Sequence, residues 1–102
     1  MPFAKTDQFS EETIRMAQFA NALSHPARIF LLKYLLDHPD SRCTEIVNAI
    51  PLSQPSCSRH LAELRKANLV TATEHGNEVR YSLKKERIQH FCNAFHSTLN
   101  PE

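Results

Sequence analysis

The sequence predicts a mainly α-helical domain with one small β-hairpin, in the order α-α-α-α-β-β-α, and three observations carry that expectation. Residues 10–66 repeat their apolar positions at helical spacing, with helix starters and breakers between the runs. Residues 70–83 switch to alternation around Gly76, the single glycine of the chain. Residues 85–99 return to helical spacing, with Ile88, Phe91, Cys92, Phe95 and Leu99 at i, i+3, i+4, i+7 and i+11.

Residues 1–8 are expected to fray. Ser10 suits an N-cap, Glu11 and Glu12 suit the positive end of a helix over 10–23, and Met16, Phe19, Ala20 and Leu23 give it one apolar face. Ser24-His25-Pro26 breaks the chain and restarts it. The next helix, 25–37, is apolar on most sides, which predicts a place at the centre of the domain. His38-Pro39-Asp40-Ser41 ends it, and a short helix over 44–50 begins at Cys43 or Thr44 and stops at Pro51.

Ser53 then caps a helix whose first turn accepts Pro55. Cys57, Leu61, Leu64 and Asn68 form its packing seam. Opposite lie Pro55, Arg59, Ala62 and Lys66, flanked by Ser56, Ser58 and Arg65, with Glu63 the only acid of the run. Small hydroxyls near the start, one Arg in the middle and bases at the end suit a helix that enters a DNA major groove and leaves its cationic end near phosphate. A solvated amphipathic helix is the plainer alternative. Two short helices joined by a tight turn make a helix-turn-helix. In the hairpin that follows, Val79, Tyr81 and Leu83 are expected to face the core and Arg80 and Ser82 to face out, making a wing. The apolar stripes of 10–23 and 85–99 are expected to form a homodimer interface through Met16, Phe19, Leu23, Ile88, Phe91, Cys92, Phe95 and Leu99, because so small a core cannot cover both. Packing within the chain is the alternative.

At 102 residues the chain is expected to be one domain, 1–102. No apolar run approaches membrane-spanning length and no export pattern opens the chain, so a cytoplasmic place without membrane contact is expected. Three cysteines without a Cys-x-x-Cys pair argue against a disulfide scaffold or a zinc ribbon. The net charge of +1 is unevenly spread: residues 53–87 hold 7 basic and 4 acidic side chains, net +3, which is a local footprint suited to nucleic acid. An enzyme is disfavoured, since no phosphate loop, nucleophile motif or paired acids occur. A winged helix used for protein–protein contact would want an acidic or apolar outer face on 53–66, which is absent.

Several stretches resemble the ArsR/SmtB family of bacterial repressors: Ala22-Leu23-Ser24-His25-Pro26-Ala27-Arg28, Leu52-Ser53-Gln54-Pro55-Ser56-Cys57-Ser58-Arg59-His60-Leu61, Leu64-Arg65-Lys66-Ala67-Asn68-Leu69-Val70 and Gly76-Asn77-Glu78-Val79-Arg80-Tyr81-Ser82-Leu83. The resemblance implies a winged helix-turn-helix homodimer on a partly palindromic double-stranded operator, released by an inducer. It implies DNA contacts from Gln54, Pro55, Ser56, Ser58, Arg59 and His60, with Arg80, Gly76 and Asn77 reaching adjacent backbone or minor groove. For His60 an inter-helix hydrogen bond is an equal alternative. No cofactor is expected. Of the family's two metal sites, one would have the single thiol Cys43, and the other would fall on Lys85, Arg87, Thr98 and Pro101, none a usable ligand. Cys92 with His96, four apart on the last helix, is the remaining metal candidate. Cys43 with Cys92 is the candidate redox pair.

Overall fold

The structure, a computed structural model, describes residues 8–101, so nearly all of the stretch expected to fray lies outside the described residues. Its elements are α1 (Glu11–Ala22), α2 (Pro26–Asp37), β1 (Ser41–Arg42), α3 (Cys43–Ala49), α4 (Gln54–Lys66), β2 (Val70–His75), β3 (Glu78–Leu83) and α5 (Lys85–Leu99). This is a mainly helical winged helix-turn-helix with a small antiparallel sheet in the order β1-β3-β2. No helix among the described residues is long and apolar enough to cross a membrane.

The helix starts follow from their caps. The Ser10 hydroxyl accepts from Thr13 N at 3.1 Å, and Glu11 and Glu12 fill the first turn of α1. Ser53 does the same for α4, accepting from Ser56 N at 3.3 Å with Pro55 in the first turn. The β2–β3 hairpin closes on Gly76 and Asn77 between the paired His75 and Glu78. Gly76 has φ +65°, a conformation that L side chains rarely adopt.

One core joins the helices to the sheet. Leu31 and Leu35 of α2, Ile46 of α3, Cys57, Leu61 and Leu64 of α4, and Leu69 and Val70 at the start of β2 are all but removed from solvent. The end of α4 departs from the expected seam. Asn68 takes φ +65° just past the helix, and its side chain accepts from Lys84 Nζ at 2.7 Å instead of packing. The hydrophobic run of α2 is also only half used. Leu31 and Leu35 are buried, but Ile29, Phe30 and Leu36 are exposed, because α4 and β3 cover one side of α2 only.

The hairpin departs from expectation at three points. The sheet has a third strand, β1, paired with Tyr81 and Arg80 of β3. Arg80 and Ser82 therefore do not simply face out: Ser82 Oγ accepts from Asp40 N at 2.8 Å, and Arg80 meets carboxylates across the new strand. Val79 is exposed, while Tyr81 and Leu83 pack against the core. The apolar stripes of α1 and α5 meet each other within the chain. Phe19 stacks on Phe91 at 4.7 Å between ring centroids and lies 6.1 Å from Phe95. Met16, Phe19 and Phe91 are thus buried without a second copy. Leu23, Ile88 and Phe95 are partly buried against the same core, whereas Cys92 and Leu99 are exposed.

Candidate nucleic-acid interface

Burial of Cys57, Leu61 and Leu64 fixes the rotation of α4 about its axis and so determines what it shows to solvent. Gln54, Pro55, Ser58, Arg59, Ala62 and Arg65 are exposed and Ser56 is half-buried. Arg59 Nη2 donates to Ser56 Oγ at 3.2 Å, which sets both groups on one patch of the first two turns. Lys66 in the last turn reaches Glu63 at 3.4 Å, while Arg65 makes no ion pair among the described residues. The last turn therefore carries two cations where the helix dipole favours them. A groove of about 380 Å³ runs between α4 and β3, bounded by Ser58, Ala62, Arg65, Lys66 and Tyr81.

His60 is turned away from that patch. Its Nδ1 accepts from Arg28 Nε of α2 at 3.1 Å, and its ring lies 5.0 Å from that of His25. Burial, then the positive charge of Arg28, pushes its pKa below the ordinary value, so the neutral ring that can accept from Arg28 is favoured. Arg28 also donates to the Ala22 carbonyl at 3.4 Å, which ties the α1–α2 corner to α4.

The wing is braced by ion pairs that the sequence reading missed. Arg42 bridges Glu45 at 3.3 Å and Glu78 at 3.1 Å, and Arg80 bridges Glu78 at 3.0 Å and Asp40 at 3.5 Å. Hydrogen bonds from the Arg42 backbone and side chain hold Glu45 below the usual carboxylate range, and those from Arg42 and Arg80 do so for Glu78. Arg80, expected to reach toward DNA, is therefore engaged with two carboxylates, and its Nε is buried without a hydrogen-bond partner among the described residues. Alternating signs at Asp40, Arg42, Glu45, Glu78 and Arg80 were present in the sequence, but only the β1–β3 pairing brings them together. Gly76 and Asn77 sit exposed at the wing tip.

The three cysteines differ in setting: Cys57 is buried in the seam of α4 as expected, Cys43 is half-buried and Cys92 is exposed. Cys43 at the start of α3 lies 3.8 Å from Ser58 Oγ, and it is the thiol that acts electrostatically on the buried Cys57. Burial pushes the Cys57 thiol up to about 11, leaving it protonated and a poor nucleophile. Cys92 and His96 lie on exposed turns of α5, and no group of three or more His, Cys, Asp or Glu side chains that could hold a metal ion occurs among the described residues.

Residues 25–72 match the sequence model described as "Bacterial regulatory protein, arsR family". The chain is 29% identical over 92 residues to the HTH-type transcriptional regulator YgaV of Escherichia coli, covering 90% of this chain and 89% of that one. It is 35% identical over 74 residues to the HTH-type transcriptional repressor SmtB of Mycobacterium tuberculosis, covering 72% of this chain but only 53% of that relative, so about half of that relative's length is spanned. Among solved structures, an ArsR-like transcriptional regulator from Rhodococcus sp. RHA1 superposes with a TM-score of 0.77 at 22% identity, covering 86% of this chain and 82% of that one, a likeness of fold.

Proposed function

We propose that the chain, whose residues 25–72 match the arsR family of bacterial regulatory proteins, is a homodimeric, sequence-specific repressor that binds operator DNA through α4 and leaves it when an inducer binds. The observation that carries the reading is the outer face of α4: Gln54, Ser58 and Arg59 exposed, Ser56 beside Arg59, and Arg65 in the last turn with no ion pair among the described residues. In this reading Gln54, Pro55, Ser56, Ser58 and Arg59 enter the major groove. Gln suits adenine, Arg suits guanine or phosphate, and Ser bonds either base edges or phosphate. Arg65 meets the backbone along the α4–β3 groove, and Gly76 and Asn77 approach the neighbouring strand. His60 serves α4 from behind through Arg28, and Arg80 braces the wing. Repression is supported by the relative named a transcriptional repressor.

The second copy docks on the outer side of α1 and the exposed end of α5. Phe9, Ile14 and Ala17 border an apolar hollow there with Thr13, Gln18 and Asn21, and Leu99 is exposed nearby in sequence to the α5 turn carrying Cys92. The inward residues Met16, Phe19 and Phe91 support that face from beneath. Selection of binding duplexes from a random pool tests the reading. The expected product is a two-fold site with half-sites about 10 base pairs apart or a multiple of that, bound less tightly as salt rises. No enrichment, or enrichment of an asymmetric single site, overturns it.

A further inference from the structure

We infer that the cleft bounded by α1, the last turn of α4 and α5 binds a small organic anion, a carboxylate on a compact apolar body. Its volume is about 350 Å³, within the range of roughly 300–1,000 Å³ typical of small-molecule sites. Arg15, Arg28, Lys66 and Arg87 border it against one carboxylate, Glu63, and its apolar side is the stacked pair Phe19 and Phe91.

The four cations are unequally satisfied. Arg15 pairs with Glu11 at 3.4 Å in an exposed contact, and Lys66 pairs with Glu63. Arg28 donates Nε to His60 and Nη1 to the Ala22 carbonyl. Arg87 has no carboxylate partner among the described residues. Its guanidinium lies 5.3 Å over the Phe91 ring, and its Nε is buried with no hydrogen-bond partner among the described residues. Arg87 lines the cleft with its charge unmatched by any carboxylate among the described residues, and a ligand carboxylate there gains a charge-assisted bond. The aromatic floor favours a ligand whose acid head sits at Arg87 and whose body covers Phe19 and Phe91.

The consequence for regulation rests on the proposed role of α4. Glu63 and Lys66 stand on its C-terminal turns, and Arg28 holds its middle through His60. An anion that draws Arg28 or Lys66 toward Arg87 changes how α4 is held against α1 and α5. By linkage, DNA then changes anion affinity by the same factor.

The test titrates the DNA-free full chain with sodium benzoate, and separately with inorganic phosphate, at constant ionic strength, followed by amide chemical shifts. Saturable benzoate binding is expected, with shifts centred on Phe19, Lys66 and Arg87. Arg87→Gln should weaken it by about tenfold or more, the loss of a charge-assisted bond, with an unchanged melting temperature. Arg15→Gln is the second variant if Arg87→Gln does not fold. Non-saturable benzoate binding, or equal binding by both folded variants, overturns the proposal. Phosphate binding without benzoate binding overturns the apolar-body assignment. A reduced salt slope for DNA in Arg87→Gln with no small-anion binding overturns it in favour of a backbone contact. Anion binding in a chain that binds no DNA keeps the site and removes the regulatory reading alone.

Discussion

Arg59→Ala separates the proposed interface from the fold that presents it. Arg59 is exposed and its one side-chain hydrogen bond among the described residues is to Ser56 Oγ, so its loss should move stability by no more than about 0.5 kcal/mol. Alanine is also the better helix former. The melting temperature should therefore shift by only about 2–4 °C. On DNA the expectation is larger. If Arg59 pairs with a guanine, each copy loses about 1–3 kcal/mol, and two copies together lose roughly 30-fold to 10⁴-fold in affinity. If it meets phosphate instead, the salt slope should fall by about 0.9 per copy. Fluorescence anisotropy of a labelled operator across a salt series, beside a thermal melt, distinguishes the two cases. Affinity and slope both equal to wild type, in a chain that melts normally, would refute the assigned face of α4.

Phe91→Ala removes one ring of the Phe19–Phe91 stack from a site that is 2% exposed, and should cost about 3–5 kcal/mol. That lowers the melting temperature by about 12 °C or more, and a shift of only a few degrees in thermal denaturation would count against the α1–α5 contact. Ala17→Glu, on the exposed side of α1, should give folded monomers by sedimentation. A variant that stays dimeric, or a wild type that is monomeric, removes the proposed docking face. Arg80→Ala should leave the salt slope of DNA binding unchanged, because its charge is already matched by Glu78 and Asp40; a slope reduced as in the phosphate case for Arg59 would contradict this. His60 supplies a pH dependence. Its folded pKa lies below the ordinary 6.5, so the unfolded chain takes the proton first. Stability from this group is complete above about 6.5 and is lost as pH falls through that value toward the folded one. Urea midpoints should therefore fall more on acidification in wild type than in His60→Gln, and parallel curves would remove His60 as the cause.

What could be read in advance was local. The inward α5 positions Ile88, Phe91 and Phe95, the Ser53 and Ser10 caps, the α4 seam through Leu64 and the turn at Gly76 each depend on residues within one or two turns of each other, and each appears where its spacing placed it. What escaped depends on distant pairing. A two-residue strand has no periodicity, so β1 is visible only once β3 lies beside it. Arg28 and His60 are 32 positions apart and Arg42 and Glu78 are 36 apart, and nothing in either segment names its partner. The stripes on α1 and α5 showed that apolar faces existed but not that Phe19 and Phe91 would cover one another.

Those distant pairs alter what the local charge count means. The surplus of positive charge over residues 53–87 counts Arg80 on the wing and Arg59, Arg65 and Lys66 on α4 alike. In the folded chain the wing brace sets two cations, Arg42 and Arg80, against three carboxylates, Asp40, Glu45 and Glu78. It offers no net attraction to a phosphate backbone. On α4 three cations face Glu63 alone, and Arg59 and Arg65 meet no carboxylate among the described residues. If the chain binds DNA as proposed, counterion release, and with it the salt dependence of affinity, belongs to the helix. In the proposed complex the wing approaches DNA through the uncharged tip at Gly76 and Asn77, behind which its ion pairs brace the strands. On the proposed reading, a helix that carries both the charge and the base-reading groups, locked in rotation by Cys57, Leu61 and Leu64, would lose its grip through a small change in how its back is held. Arg28 with His60, and Lys66 at the edge of the α1–α5 cleft, are the points where that hold is made.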